Sequence, residues 1–265
     1  MGMFERFWRE VTAIGLPSAG PLEVIRASRV EALPETAQRY LRFMGVVGRA
    51  QDWSFRISFQ GRFRTGPARP WMKCQTWQYN NRLATARIFH IKMRFFGLLP
   101  VIARDTYISG LGRMLVKAMD TFTLADGRGD EYDIGELVTY LNDAVLICPG
   151  MLFTPEITWT AVDRGSFDIS MKSYERTVTA RVMVDADGAP TDFVSTDRYC
   201  EDPENPRKLM QARWSTPIDG WQEVGGRKVF TRGRAVWHLD SGTFEYGDFS
   251  PVLKSLQFNV RARME

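Results

Sequence analysis

Few residues in this chain could do chemistry, and their spacing decides between the options. His90 and His238 are the two histidines, 148 positions apart. A Ser–His–Asp or Cys–His arrangement needs a base beside its nucleophile, and nothing local supplies that pairing. Cys74, Cys148 and Cys200 are odd in number, widely spaced and free of any CxxC. That argues against a disulfide framework or a zinc knuckle and for reduced, buried thiols. No GxSxG, HExxH, Walker loop or GxGxxG occurs. Asp126–Asp133 is acidic and glycine-rich but lacks the ligand spacing of an EF-hand. It reads as a polar loop running into a helix cap, and Arg128-Gly129-Asp130 within it as a chance tripeptide. Asp185-Ala186-Asp187-Gly188 reads as a hairpin turn. Neither metal nor cofactor is expected. What remains is Arg87, Asp105 and Tyr107, polar groups set in otherwise apolar strands. They fit three roles: acid–base partners, polar groups at or inside a cavity mouth, or a buried ion pair that fixes strand register.

The elements that must position them are mostly strands. Trp53, Phe55, Ile57, Phe59, Gly61 and Phe63 alternate with Ser54, Arg56, Ser58, Gln60, Arg62 and Arg64. This period of two predicts a strand with one buried and one wet face. Further strands are predicted over 71–79, 83–93, 99–109 with a bend at Gly97, 113–119, 157–162, 167–173, 177–184, 191–199, 209–216, 229–239, 243–246 and 252–258. A Gly225-Gly226 turn lies inside 224–228, and the polar run 201–207 reads as a loop. Two longer helices are predicted. One follows Pro34, a residue suited to a first helical position, and ends at Gly45. The other begins near Asp133, where Asp133 and Glu136 have capping-box spacing, and carries the stripe Leu137, Leu141, Ala144, Val145, Cys148 to Pro149-Gly150. A weaker helix is predicted over 22–30 after the breaker cluster 16–21.

About twelve strands exceed what an open twisted sheet holds without curling. The fold class is therefore mainly β: a large curled antiparallel sheet forming an incomplete barrel, with two to four capping helices, the 133–148 helix over or beside its mouth. Residues 1–32 read as an N-terminal helical segment and 33–265 as a single half-barrel domain. Phe4, Phe7, Trp8, Val11 and Ile14 share a helical face, which suits docking on the body or lying on a membrane interface.

At 265 residues and 30.4 kDa, with 44% hydrophobic and 25% charged residues, the chain is neither fibrous nor wholly disordered. The net charge is +4, with 28 Arg against 7 Lys. Residues 49–104 hold eleven Arg or Lys and one acid, Asp52, whereas 120–143 hold seven acids and one base, Arg128. Such a basic stretch meets phosphates, an anionic surface or the acidic segment of the same molecule. No nucleic-acid partner is expected. Glu5, Arg6, Arg9 and Glu10 interrupt the first fifteen residues, so no cleavable signal is expected, and no run of about 18 apolar residues predicts a membrane span. The expected location is cytoplasmic, or peripheral to the inner membrane.

A series of short motifs carries a resemblance: Leu33-Pro34-Glu35 with Arg39-Tyr40-Leu41, Gly61, Trp71 with Thr85-Ala86-Arg87, and Asp105-Thr106-Tyr107 before Gly110-Leu111-Gly112. Glu136-Leu137 with Tyr140-Leu141, Pro149, Trp159 with Asp163, Gly188, Arg198-Tyr199, Pro217, Gly225-Gly226, Trp237 and Tyr246 continue it. In this order the chain resembles an uncharacterised bacterial family whose architecture is similar to the half-barrel of the lipoprotein carriers LolA and LolB. It departs at Asn142, where a carboxylate is expected, and at Lys228-Val229-Phe230. The resemblance implies a scaffold for a lipophilic ligand under helices. The expected function is non-catalytic binding of a lipophilic or amphipathic small molecule, such as an acyl chain, walled by Phe55, Ile57, Phe59, Trp77 and Trp159. Arg87, Asp105, Tyr107 and Tyr140 supply polar groups. The alternatives are an enzyme using Asp105 with Tyr107 or Arg87, and a peripheral membrane or interaction module.

Overall fold

The computed structural model describes residues 3–15, 23–95, 98–202, 205 and 208–261. The breaker cluster 16–21, the bend at Gly97 and most of the polar run 201–207 lie outside the described residues. The helices are α1 Met3–Ala13, α2 Ala27–Glu31, α3 Glu35–Phe43 and α4 Asp130–Ile147. The strands before α4 are β1 Ser54–Ile57, β2 Phe59–Phe63, β3 Met72–Asn81, β4 Ala86–Phe95, β5 Leu99–Ile108, β6 Leu111–Ala118 and β7 Phe122–Gly127. After it come β8 Ile157–Asp163, β9 Ser166–Ser173, β10 Arg176–Val184, β11 Pro190–Glu201, β12 Leu209–Ser215, β13 Ile218–Val224, β14 Arg227–Leu239, β15 Gly242–Pro251 and β16 Gln257–Phe258.

The sixteen strands of the described residues form one antiparallel sheet in the order β7-β6-β5-β4-β3-β2-β15-β14-β12-β11-β10-β9-β8, with β1 on β3 and β16, and β13 on β14. The outermost strands β7 and β8 do not pair with each other, so the sheet curls without closing. Its two wings meet at one end, where Tyr107 Oη donates to Ser173 Oγ at 2.9 Å and Arg176 Nη1 to the Gly110 carbonyl at 3.3 Å. Chain halves join through β2 and β15. Gly61 permits that pairing, because a Cβ there would collide with the Asp248 carbonyl.

Several expectations are corrected. The 53–64 alternation is two strands broken at Ser58, and its first half is buried on both faces. The reason is α1. It lays Phe7, Trp8 and Val11 on Tyr79, Ile88 and Val260 on the outer face of the sheet, and Trp8 lies under the Arg56 guanidinium. Neutral His90, held near 4 chiefly by burial, faces Glu10 of the same helix at 2.8 Å. The helix expected over 22–30 is only α2, because Val24 pairs with Ala50 as an isolated bridge. The strand expected over 252–258 is reduced to β16 by a single turn of 3-10 helix at Leu253–Ser255. β7 lies in the acidic stretch and was not expected; its side chains are largely exposed, so no apolar alternation marks it. Gly225 and Gly226, at φ +59° and +73°, do turn β13 into β14.

The largest correction concerns α4. It starts at Asp130, with Gly129 as its cap, and the capping box does not form. Asp133 instead accepts the Gly112 amide at 2.6 Å and the Arg176 Nη2 at 2.6 Å, while Glu136 points to Arg87. Nor does the helix sit beside the mouth. Every residue from Gly135 to Ile147 is buried, polar ones included, because α4 lies inside the curl and bridges its wings. Among the described residues no helix is long and apolar enough to cross a membrane.

Candidate functional site

A helix buried on all sides must partner each polar group it carries, since an unpaired buried charge is costly. Glu136 and Asp143 lie seven residues apart, hence on one face of α4. Both meet Arg87 of β4. Arg87 Nε donates to Asp143 Oδ2 at 2.7 Å and Nη1 to Glu136 Oε2 at 2.9 Å. Asn80, opposite Arg87 in the β3–β4 ladder, donates to the same Asp143 oxygen at 3.3 Å and accepts from Gln78 at 3.0 Å. The other wing answers with Arg198 of β11, which donates to Thr139 Oγ1 at 2.7 Å, and with Thr216, which donates to Asn142 Oδ1 at 2.5 Å. The Arg198 guanidinium also lies 4.3 Å from the Trp214 ring centre and 5.5 Å from that of Trp237.

These contacts mark which face of each strand looks inward. By the two-residue period, Phe89, Ile91 and Met93 follow Arg87 on the inner face of β4. Asp105, Ala103 and Val101 lie opposite them on β5, and Met114 and Val116 on β6. On the other wing Trp214, Trp237 and Phe244 are cross-strand neighbours, with Tyr246 stacked on Trp237 at 6.1 Å and accepting the Trp214 indole N–H at 2.9 Å.

The inner face thus has two halves. One is covered by α4. In the other, Met72, Cys74, Ile91, Met93, Val101 and Ala103 form an apolar cluster with no residue of α4 in it. There Phe63, Phe89 and Val116 stay partly exposed although they point inward; Leu239, Phe244 and Tyr246, at the edge of the α4 cluster, are partly exposed as well. Solvent therefore reaches the concave face beyond the end of the helix. At the boundary two enclosed polar atoms, Asp105 Oδ1 and Arg198 Nε, have no hydrogen-bond partner among the described residues.

Electrostatics follow burial. It pushes Glu136 up to about 7, reinforced by Asp105 and opposed by Arg87 and Arg198. It raises Asp105 and Asp143 as well, against the pull of Arg87 on both. A carboxyl that titrates near neutrality can act as an acid or base, but Glu136 is committed to Arg87. No group of three or more residues that could hold a metal ion occurs among the described residues.

A separate cleft of about 540 Å³ opens at the end where the wings meet. The 82–85 turn, Tyr140 and Ala144 of α4, residues 151–157 and the 171–174 turn line it.

Of the residues expected to line a site, Arg87 and Asp105 come together at the boundary of the two halves. Tyr107 and Tyr140 lie under the covered half, Tyr140 on the cleft wall. Phe55, Ile57 and Phe59 are core residues of the α4 cluster. Trp77 faces outward and packs near Phe4 of α1. Trp159 packs on Tyr40 and Phe167. None of these five lines the cleft, and the open half is walled by other aromatics. Glu136, Asp143 and Arg198 were not expected as site residues. Arg198 could not be found by period alone, because a register shift between Ser195 and Arg198 brings it to the same face as Ser195.

The family of unknown function DUF6544 matches residues 23–249. The chain belongs to that family. It is similar to the solved structure of a LolA superfamily protein from Nitrosomonas europaea, at 12% identity over 83% of this chain and 92% of that one, with a TM-score of 0.40. It is also similar to a DUF1329 family protein from Desulfovibrio piger, at 10% identity over 80% of this chain and 88% of that one, with a TM-score of 0.42. Among curated proteins none matches the chain.

Proposed function

We propose that the protein binds an amphipathic small molecule, without converting it, on the open half of its inner face. The apolar part lies against Phe63, Phe89, Val116, Phe244 and Tyr246. The polar end reaches Asp105 and Arg198. The observation that carries this reading is the pair of enclosed, unpartnered atoms, one carboxylate oxygen and one guanidinium N–H, set beside inward aromatics that remain partly exposed. A buried polar atom without a partner costs about 1–3 kcal/mol. A head group that both donates and accepts, such as a hydroxyl, an amide or an undissociated carboxyl, would recover that cost as affinity. The reading is non-catalytic because the carboxylates of Glu136 and Asp143 are held by Arg87.

The test is titration with a fluorescent long-chain fatty acid. Saturable binding of one molecule per chain is expected. Phe244→Asp should weaken it at least about tenfold, since losing one aromatic contact is worth about 1.4 kcal/mol or more. Leu83→Asp, on the rim of the other cleft, should leave it unchanged. Absence of saturable binding, or equal affinity in Phe244→Asp, overturns the proposal. Loss in Leu83→Asp alone moves the ligand to the cleft and overturns it too.

A further inference from the structure

The end of the sheet remote from α4 carries an apolar tip. Leu98 is 86% exposed, Phe122 62%, Leu124 61% and Met119 53%, and Leu99 is exposed beside them. Leu98, Leu99, Met119 and Phe122 adjoin at this end. The Met119 amide donates to the Pro100 carbonyl at 2.8 Å, which sets the β6–β7 turn against the start of β5. Val101 faces Ala118, and Ala118 faces Phe122 across the ladders.

Three cations lie behind this tip on the outer face of the sheet. Lys92 and Lys117 flank Ile102 in the register of β4, β5 and β6, and Arg94 follows Lys92 on the same outer face. No acid pairs with these three among the described residues. The acids closest along the chain are already taken: Asp120 by Arg6, and Asp126 by Arg113 and Arg128.

We propose that this end of the molecule docks on an anionic lipid bilayer. Aliphatic and aromatic side chains on two adjoining turns enter the acyl boundary while lysine and arginine behind them meet lipid phosphates. The charge of these cations selects the partner. A monomer seldom leaves a contiguous apolar patch uncovered, and an apolar projection with unpaired basic residues behind it complements an anionic bilayer. The inner-face residues lead towards the same end, so docking would place the open half of the concave face over the lipid.

Flotation with vesicles tests this with the full chain and no added ligand. The protein should float with an equimolar phosphatidylcholine–phosphatidylglycerol mixture and stay behind with phosphatidylcholine alone, and salt should weaken the association. A double variant, Leu98→Asp with Phe122→Asp, should lose at least about tenfold in partitioning, since two apolar side chains no longer leave water. Both positions are exposed, so far-ultraviolet circular dichroism should be unchanged. A triple variant, Lys92→Gln, Arg94→Gln and Lys117→Gln, should lose the preference for anionic lipid. Phe244→Asp should float like the wild type, which keeps this inference separate from the ligand reading. Failure to float with anionic vesicles overturns the proposal, as does flotation of the double variant at wild-type level. A dimer in sedimentation that dissociates in the double variant would assign the patch to a second copy and overturn it as well.

Discussion

The two halves of the inner face solve the same packing problem in opposite ways. Under α4 every side chain is sealed and nearly every polar atom is matched: Arg87 holds two carboxylates, Thr216 holds Asn142, Arg176 holds Asp133. Beyond α4 the aromatics point inward and are not sealed, and two atoms at the boundary, on Asp105 and Arg198, have no hydrogen-bond partner among the described residues. A region built only for stability would look like the first throughout. The contrast teaches that the helix sets the limit of the packed core, and that what lies past it is surface kept concave.

Breaking the covered half should cost most. Arg87→Leu leaves Glu136 and Asp143 without their shared cation, and removal of one partner of a buried pair typically costs about 3–5 kcal/mol. Urea denaturation checks this; a change below about 1 kcal/mol would mean that water already reaches the pair.

Matched truncations sharpen the comparison. Leu141→Ala, in the covered half and fully buried, should cost about 2–5 kcal/mol. Phe89→Ala, in the open half, should cost about 1–2 kcal/mol despite its larger side chain, because part of its surface is never withdrawn from water. Equal losses would dissolve the distinction between the halves.

Asp133→Ala probes how α4 is fixed at its start. It frees the Gly112 amide and Arg176, for an expected loss of about 1–3 kcal/mol. Asp130→Ala, whose side chain is exposed and also faces Arg176, should cost less than about 1 kcal/mol. Thermal midpoints of the two variants decide the order.

The smallest effect is a slope. Glu136 holds its proton up to about 7 in the folded chain, where the unfolded chain has already released it. Stability from this group is therefore full at low pH, falls as pH rises from the ordinary carboxylate range through 7, and levels off above. The slope is at most about 1.4 kcal/mol per pH unit. Glu136→Gln should flatten it in part, since Asp105 and Asp143 are displaced in the same direction. A variant with the wild-type slope would remove Glu136 from the covered network.

How far the sequence carried the fold can be read from particular elements. The alternation over 53–64 announced strands and the excess of strands announced the curl, because period and length are local properties. The same alternation could not reveal that α1 covers the outer face of β1, since burial by a distant segment leaves no local mark. Asp133 and Glu136 had the spacing of a cap, yet tertiary partners, Arg176 and Arg87, outcompeted the backbone. Arg87 and Asp105 were singled out as polar intruders in apolar strands, and the fold sets them on the inner face. Of the five expected wall residues, Phe55, Ile57 and Phe59 lie in the α4 cluster and Trp77 faces outward. Parity alone does not tell which stretch of a strand the helix will cover, so Phe55 and Ile57 fall under α4 while Phe63 and Phe89 do not.

The three cysteines report on the two halves without any mutation. Cys148 is buried in the α4 cluster and Cys74 is buried with its thiol pushed up to about 12. Cys200 is partly exposed, two residues along β11 from Arg198, and so on the inner face. The direct measurement is the rate of maleimide labelling at each cysteine, read by mass spectrometry, with and without a saturating long-chain fatty acid. The account predicts that Cys200 reacts, that Cys74 and Cys148 do not, and that the fatty acid slows Cys200 several-fold. A Cys200 rate untouched by the fatty acid, or labelling of Cys148 as fast as Cys200, would contradict it.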